Sequence, residues 1–259
     1  MATAEPREDL TVVCVHWGNK YAGVYVHKLA LAVRTNLSCP HRFVVLTEDP
    51  RRFPDLDTIE SPRPLDRGWW QKILLFKPGL VPGTKALFLD LDSAILGPLD
   101  AVADFPVGRG DVVMVPPVPP VREKPPASPA LLWRPGDGLA DLWDLYASLG
   151  WEEANARWRG GDQRFITDTL GPRGRVRQFP VGWFPSYKGC ALTTQTLGPE
   201  ARVLVFHGVP KPLDLPTDDP FRQLWENPCS RQLASVSWPR SYSVPYPLPR
   251  RRSRAPSSR

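Results

Sequence analysis

Two aspartates at the end of an apolar segment give the clearest chemical signal in the sequence. Asp90 and Asp92 follow the run 85–89, whose composition is typical of a buried strand. Side chains two apart on a strand point to the same side, so both carboxylates face one point. Two converging carboxylates favour a hard divalent cation such as Mg²⁺ or Mn²⁺ between them. The alternative is a solvated turn after a strand, where aspartate is also common.

A histidine and a lysine follow a second apolar segment late in the chain. His207 comes directly after 202–206, so it has the same position relative to a predicted strand as the two aspartates. It would supply a third metal ligand, Gly208 would let a ligand approach the backbone, and Lys211 would offer a cation to a phosphate. The ordinary alternatives are a structural histidine and a solvated lysine.

A third candidate pair opens a predicted helix over 162–170. Asp162 follows Gly161 and precedes Gln163. Aspartate is a preferred residue at a helix N-terminus, where its side chain accepts hydrogen bonds from backbone amides, and that role requires no function. The capping role and a functional role are compatible.

The elements that must position these residues alternate between strand and helix. The β-branched run 11–16 predicts a buried strand, the apolar spacing over 21–37 a helix with one buried face, and 42–47 a second strand. This order predicts a βαβ unit and a parallel sheet, whose ligands bind outside the carboxyl ends of the strands. The other predicted elements are a helix over 69–77, strands over 85–89, 112–115 and 202–206, and helices over 139–149 and 162–170.

Two segments are predicted to be loops. Residues 49–67 are rich in Pro, Asp and Arg, and residues 116–135 contain eight prolines. Proline removes a backbone donor and fixes φ, so a segment this dense in proline is predicted to form no regular element. Because apolar segments flank 116–135 on both sides, we expect a long loop within one domain.

Composition places the chain among ordinary globular proteins. Of its 259 residues, 42% are hydrophobic and 23% charged, which excludes a collagen-like or wholly disordered chain. The net charge is +6, but residues 239–259 hold six arginines and no acid, so the other 238 residues sum to zero. A folded basic face for nucleic acid is therefore not expected.

We expect one domain over residues 10–236, between a flexible N-terminus (1–9) and a disordered, Pro- and Arg-rich basic tail (237–259). The tail would either contact anionic lipid head groups or be a plain disordered end. The four cysteines show no C-x-x-C spacing, and Cys14 is predicted to be a small buried hydrophobe. No apolar leader and no membrane span is visible, so the expected location is cytoplasmic, with the tail as a peripheral contact at the inner membrane face.

Several short segments match one protein family in the right order. They are Asn19-Lys20-Tyr21, Lys72 within WWQKILLF, 88–93 (FLDLDS), 127–132 (ASPALL), 161–163 (GDQ) and 206–212 (FHGVPKP). With these segments, which run through most of residues 11–212, the chain resembles the GT-A glycosyltransferases of family 8, the glycogenin and lipopolysaccharide galactosyltransferase group. The resemblance implies an α/β fold, a single GT-A (Rossmann-like) domain with a mostly parallel central sheet flanked by helices.

The resemblance also implies an activity and a site. The chain would transfer a sugar from a nucleotide-diphosphate donor, a UDP-sugar, to an acceptor, with Mn²⁺ or Mg²⁺ and with retention of anomeric configuration. Asp90, Asp92 and His207 would hold the metal against the diphosphate, and Asp162 and Gln163 would face the reacting sugar. The implied donor-binding residues are Asn19, Tyr21, Lys72, Asp90, Ser128, Gly208 and Lys211. Tyr21 would lie near the base or in the helix core, and no nucleophile for a double displacement is evident.

Two departures from the family pattern affect specificity. Ala127 and Pro129 stand where the family has Asn and Gly, in a segment that touches the hydroxyls of the donor sugar. The identity of the donor sugar is therefore not determined by the sequence. The acceptor is not determined either, and the candidates are a saccharide, a lipid-linked molecule and a protein. Tryptophan side chains are candidates to stack on an acceptor sugar: Trp69, Trp70, Trp133, Trp143, Trp151, Trp158 and Trp183.

Two other functions compete with sugar transfer. One is a haloacid-dehalogenase-like phosphatase with Asp90 as nucleophile and Mg²⁺ as cofactor. That family has Thr or Val where Ala94 stands, and its motif lies on the first strand of the core, whereas a βαβ unit precedes Asp90 here. The other is a non-catalytic nucleotide-sugar-binding protein on the same fold, since a fold does not determine a function.

Overall fold

The computed structural model describes residues 9–61, 68–117, 124–192 and 197–228. The strands are β1 (Leu10–His16), β2 (His41–Thr47), β3 (Asp57–Glu60), β4 (Lys85–Leu89), β5 (Ser93–Ile95), β6 (Val112–Val115), β7 (Ala127–Trp133), β8 (Val176–Gln178) and β9 (Val203–Val205). The helices are α1 (Val24–Asn36), α2 (Asp100–Ala103), α3 (Ala140–Arg157), α4 (Asp162–Leu170), α5 (Tyr187–Leu192) and α6 (Pro220–Glu226), and a 3₁₀ helix covers Gly68–Phe76. No helix within the described ranges is long and apolar enough to cross a membrane.

The centre of the molecule is a seven-stranded sheet of order β3-β2-β1-β4-β7-β6-β8. Every neighbouring pair in this sheet is parallel except the two pairs that β7 makes with β4 and β6. Successive strand residues point to opposite faces. Val12 and Cys14 accordingly pack in one apolar cluster with α1 and α6, and Val13 packs in a second cluster with the 3₁₀ helix, α3 and α4. The mostly parallel sheet between helical layers confirms the predicted α/β fold class.

The predicted βαβ unit forms as the apolar pattern requires. β1 and β2 are parallel in full register, from Leu10 opposite His41 to His16 opposite Thr47. The connecting α1 buries one face, including Val26, Leu29 and Val33, and burial of each such side chain stabilises the fold by about 1.5–3 kcal/mol. The helix begins at Val24, three residues after the predicted start. Cys14 is fully buried, which confirms the predicted small buried hydrophobe, and burial raises the pKa of its thiol far above the usual value.

Strand β4 delivers the aspartates to the edge of the sheet. It lies between β1 and β7, and all five of its residues are buried. Because β1, β2 and β4 are parallel, their carboxyl ends meet at the same edge. Asp90 follows this strand directly, and its backbone N–H donates to the carbonyl of Pro129 on β7 over 2.8 Å.

The predicted loop 116–135 is wrong over its second half. Strand β7 (Ala127–Trp133) lies in the middle of the sheet and contains Pro129. The ladder between β6 and β7 is irregular there, because Met114 lies opposite Leu131 while Val115 lies opposite Ala127. Proline is tolerated in a sheet at such a bulge, where its missing N–H costs no ladder hydrogen bond. Residues 118–123 lie outside the described part of the chain.

The predicted loop 49–67 also contains an element. Strand β3 (Asp57–Glu60) extends the sheet at its edge, in parallel register with Val44 to Thr47 of β2. This strand is short and half exposed, so its backbone pairing leaves no apolar pattern in the sequence. Residues 62–67 lie outside the described ranges.

Other elements agree with the sequence to different degrees. Strands β4 and β6 and helix α4 have the predicted bounds, and the predicted helix 69–77 is the 3₁₀ helix Gly68–Phe76. Helix α3 runs past the predicted end at 149, with a break at Gly150, where φ is 75°. The predicted strand 202–206 is β9 (Val203–Val205), and β5, β8, α2, α5 and α6 are elements that the sequence pattern did not predict. The predicted disordered tail 237–259 lies outside the described residues.

A small second sheet joins distant parts of the chain. Strands β5 and β9 are antiparallel, with Ser93 opposite Val205 and Ile95 opposite Val203. Asp92 directly precedes β5, and Phe206 and His207 directly follow β9. The antiparallel register therefore brings the segment after β9 to the aspartates that follow β4.

Candidate active site

The residues predicted to do chemistry line one cavity at the carboxyl ends of β1 and β4. The cavity has a volume of about 410 Å³. The predicted residues on its wall are Tyr21, Lys72, Asp90, Asp92, Ser128, Asp162, Gln163, His207, Gly208 and Lys211. Asn19 is exposed two residues before Tyr21 and is not part of the wall.

Lys72 is the centre of a buried ionic group on one side of the cavity. Its Nζ lies 2.9 Å from Oδ1 of Asp90 and 3.8 Å from Oδ2 of Asp162. It also donates to the backbone carbonyl of Ser128 over 3.0 Å. The Ser128 hydroxyl in turn donates to the Asp162 carboxylate over 2.5 Å. Four elements meet here, because Lys72 lies on the 3₁₀ helix, Asp90 follows β4, Ser128 lies on β7 and Asp162 begins α4.

The pKa values of both Asp90 and Lys72 are raised, for different reasons. Burial raises the pKa of Asp90 to about 6, and Asp92 and Asp162 act in the same direction while Lys72 opposes them. Burial alone would lower the pKa of Lys72, but Asp90 and Asp162 outweigh it and hold that pKa above its usual 10.5. The lysine therefore stays charged between the two acids.

Asp92 lies in a second ionic group, with Tyr21 and Lys211. The Tyr21 hydroxyl donates to Oδ2 of Asp92 over 2.9 Å, and the Lys211 ammonium pairs with the same oxygen. Two ammonium groups lie over the Tyr21 ring as cation–π contacts, the Nζ of Lys20 at 5.1 Å and the Nζ of Lys211 at 5.4 Å from the ring centroid. Burial and the nearby acids raise the pKa of Tyr21 above its usual value, so it stays a neutral donor. The structure thus places Tyr21 against Asp92.

The loop after β9 forms another part of the cavity wall. Phe206 stacks on Tyr187, with 4.8 Å between ring centroids, which fixes the start of the loop. His207 and Gly208 then line the cavity, and Gly208 has a φ of 71°, a value that favours glycine. The Nζ of Lys188 lies 3.5 Å from the position that a Cβ on Gly208 would take. The backbone of this loop is therefore open to a ligand and lies beside a cation.

The three predicted metal ligands are suitable in kind, and the two aspartates among them are paired with lysines. Two carboxylates and an imidazole are ligands that Mn²⁺ accepts. Asp90 pairs with Lys72, and Asp92 pairs with Lys211. Within the described ranges, no three His, Cys, Asp or Glu side chains are arranged closely enough to hold a metal. A metal ion on Asp92 would have to take the place of the Lys211 ammonium.

Comparison with solved structures finds similar architecture in glycosyltransferases. The apo form of the glycosyltransferase GlyE of Streptococcus pneumoniae TIGR4 matches with a TM-score of 0.63 and 16% identity, over 86% of this chain and 60% of GlyE. The galactosyltransferase LgtC, solved with donor and acceptor sugar analogs, matches with a TM-score of 0.56 and 13% identity, over 84% of this chain and 95% of LgtC. The bifunctional glycosyltransferase WbbM matches with a TM-score of 0.53 and 12% identity, over 81% of this chain and 48% of WbbM.

The chain has a glycosyltransferase fold. This confirms the fold implied by the resemblance to the GT-A family. The chain spans about 60% of the length of GlyE, the first of these structures. No protein-family model matches the sequence, and no curated protein does. In this glycosyltransferase fold the aspartates follow β4 rather than the first strand, an arrangement that the phosphatase alternative does not predict.

Several cavity residues were not among the predicted site residues. Lys20, Trp17 and Arg159 line the same cavity, and Lys188 stands behind Gly208. Lys20 could have been found from its place between Asn19 and Tyr21, directly after β1. Arg159 could have been found from its place two residues before the 161–163 segment, at the start of α4. Lys188 carries no signal in the sequence, because only tertiary packing brings α5 to the cavity.

Proposed function

We propose that the protein is a glycosyltransferase that moves a sugar from a nucleoside-diphosphate donor to an acceptor, with a divalent cation. The observation that carries this proposal is the presence of two ionic groups on the wall of one cavity of about 410 Å³, on a glycosyltransferase fold. One group is built on Lys72 with Asp90 and Asp162, and the other on Asp92 with Lys211.

The two groups suit the two ends of a nucleotide sugar. As the bond from the sugar to the diphosphate breaks, negative charge develops on the leaving phosphate and positive charge on the sugar. Lys211 and the open backbone at Gly208 are placed to stabilise the phosphate. Asp162 is held by Ser128 and Lys72, so its carboxylate is fixed where it would face the positively charged sugar.

The residues that would hold the metal are Asp90, Asp92 and His207, which would have to move closer together, because they are not arranged to hold a metal in this structure. A bound cation would neutralise the diphosphate. The Lys211 ammonium, which pairs with Asp92 on the same wall, would supply a second positive charge to a phosphate oxygen. We further propose a UDP-sugar as donor and retention of anomeric configuration, both of which are supported only by the family resemblance.

Thermal melting tests the donor site directly. A nucleotide at 100 times its dissociation constant adds about 2.7 kcal/mol of stability, which raises the melting temperature of a chain of this size by roughly 5–10 °C. We expect this shift with UDP plus Mn²⁺, and we expect Asp92→Asn to abolish it. Asp55→Asn, which changes an exposed carboxylate on the surface outside the cavity, is the matched control and should keep the shift.

Two results would decide against the proposal. If no nucleotide shifts the melting of a wild-type protein that unfolds cooperatively, the donor site does not exist. If UDP binds but no UDP-sugar releases UDP over hours, either alone or with saccharide, lipid-linked and protein acceptors, the protein is the non-catalytic binder instead.

A further inference from the structure

Trp69 is an exposed indole on the wall of the candidate active site. It is 53% exposed, whereas the next residue, Trp70, is 1% exposed. Trp70 donates to Asn155 over 3.1 Å and stacks on Tyr146, so it belongs to the core. Within the described part of the chain, Trp69 is the one tryptophan that is exposed. Single exposed apolar side chains are ordinary on a surface, so exposure alone assigns no role.

The indole is held by the backbone on one side and open on the other. Gly161 has a φ of 72°, and a side chain at this position would overlap Nε1 of Trp69. The indole therefore lies directly against the backbone at the start of α4. Gly68, which precedes Trp69, also has a positive φ, of 68°. Two glycine conformations thus fix an aromatic surface that more than half faces solvent.

The groups beside Trp69 are those that bind hydroxyls. Asp162, the acid proposed to face the reacting sugar, directly follows Gly161, and Gln163 follows it. Arg159, which is exposed, lines the same cavity two residues before Gly161. Sites that orient a small ligand combine an aromatic surface with a few well-placed polar groups. A saccharide ring offers the complementary surfaces, because its face of C–H groups can stack on an indole and its hydroxyls can form hydrogen bonds with the polar groups.

We propose that Trp69 is the stacking platform for the acceptor, and that the acceptor is a saccharide whose hydroxyls point towards Arg159 and Gln163. The proposal rests on the proposed function, because it uses Asp162 to define where the sugar reacts. The base of the donor is the other flat group that could stack here. The ionic group proposed for the phosphates, Asp92 with Lys211, is built against Tyr21 after β1, whereas Trp69 contacts the start of α4. The position of Trp69 therefore favours the acceptor.

Ligand-observed saturation-transfer NMR tests this assignment on the full chain. The probes are UDP with Mg²⁺, and, in the presence of UDP, the methyl glycosides of glucose, galactose and N-acetylglucosamine together with lactose. We expect at least one saccharide to bind the wild type and Trp69→Phe, and to bind Trp69→Ala about 10-fold more weakly, as is typical when a stacking aromatic is removed. UDP should bind all three proteins within about 2-fold of each other. Val181→Ala, which truncates another exposed apolar side chain, is the control and should change neither the binding of the saccharide nor the binding of UDP.

Each other outcome overturns the proposal in a different way. If no saccharide binds the wild type, or if Trp69→Ala binds it as well as the wild type, Trp69 is not an acceptor platform. If Trp69→Ala loses UDP as well, the indole stacks on the base. If the saccharide pattern appears but the wild type does not bind UDP, the proposed function fails, and the saccharide bound at Trp69 is then a ligand and not an acceptor.

Discussion

A single lysine lies between a buried acid, Asp162, and a partly exposed acid, Asp90, in the candidate active site. The side chain of this lysine, Lys72, is 11% exposed. Removing one partner of a buried ion pair costs about 3–5 kcal/mol, because the charge left behind is buried without its counterion. Without Lys72, Asp162 would be left in this state, with only the Ser128 hydroxyl as a donor among the described residues. We therefore predict that Lys72→Met lowers the melting temperature by roughly 6–20 °C, measured by calorimetry.

Two further variants show whether charge is the cause. Lys77→Met removes a lysine five residues away that has neither acid as a partner, and it should melt within about 2–4 °C of the wild type. Adding Asp90→Asn to Lys72→Met should recover part of the lost stability, because it removes one of the two uncompensated acids. A double variant that melts lower than Lys72→Met would contradict this account.

The sequence indicates which residues form the site but not how they pair. The spacing of Asp90 and Asp92 after an apolar strand, and of His207 after another, places all three on the cavity wall. The ion pairs join residues that are far apart in the chain: Lys72 is 18 residues from Asp90, and Lys211 is 119 residues from Asp92. Such pairs depend on which elements pack together, and no local pattern encodes that.

Some strands and helices could be predicted from the local sequence, whereas others depend on tertiary packing. Strand β4 and helix α4 were predictable to the residue, because the apolar run and the periodicity are strong. Strand β7 was not, since Pro129 is the residue that argues against a strand, and only the bulge opposite Val115 makes it tolerable. That same bulge carries Ser128, which joins Lys72 to Asp162. A conflict with local propensity therefore marks the site here.

The backbone at the start of α4 has a conformation that requires glycine. Gly161 combines a φ of 72° with a ψ of −156°, a backbone region that only glycine adopts readily. Gly136, which precedes another helical segment, has a φ of 120° and a ψ of −161°, but a side chain there would meet nothing. We predict that alanine at either position costs about 1–3 kcal/mol in urea unfolding. Only Gly161→Ala should displace Trp69 and shift the tryptophan emission.

A double variant decides whether the emission change comes from Trp69. In a Trp69→Phe background, Gly161→Ala should leave the emission unchanged. An equal emission shift in Gly136→Ala, or a shift that persists without Trp69, would mean that the indole is not held by the backbone of Gly161.

The candidate active site is shared between the two sheets of the molecule. Asp90 and Asp92 follow β4 of the main sheet, whereas His207 and Lys211 follow β9 of the small sheet. Strands β5 and β9 are only three residues long each, so few hydrogen bonds hold the small sheet together. A ligand that contacts both Asp92 and Lys211 would add a link between the two sheets. Ligand binding should therefore stabilise the segment after β9 more than the rest of the fold.

Hydrogen exchange with and without UDP plus Mg²⁺ tests this link. A ligand at 100 times its dissociation constant can slow exchange up to about 100-fold for amides whose exposure requires the site to open. We predict strong slowing over 203–214 and little change over 38–42, which lies at the opposite end of β1 and β2. Asp92→Asn should remove the slowing. Slowing at 38–42 but not at 203–214 would place the nucleotide at another surface, because no ligand in the described cavity could bind Lys211 and leave its segment free to open.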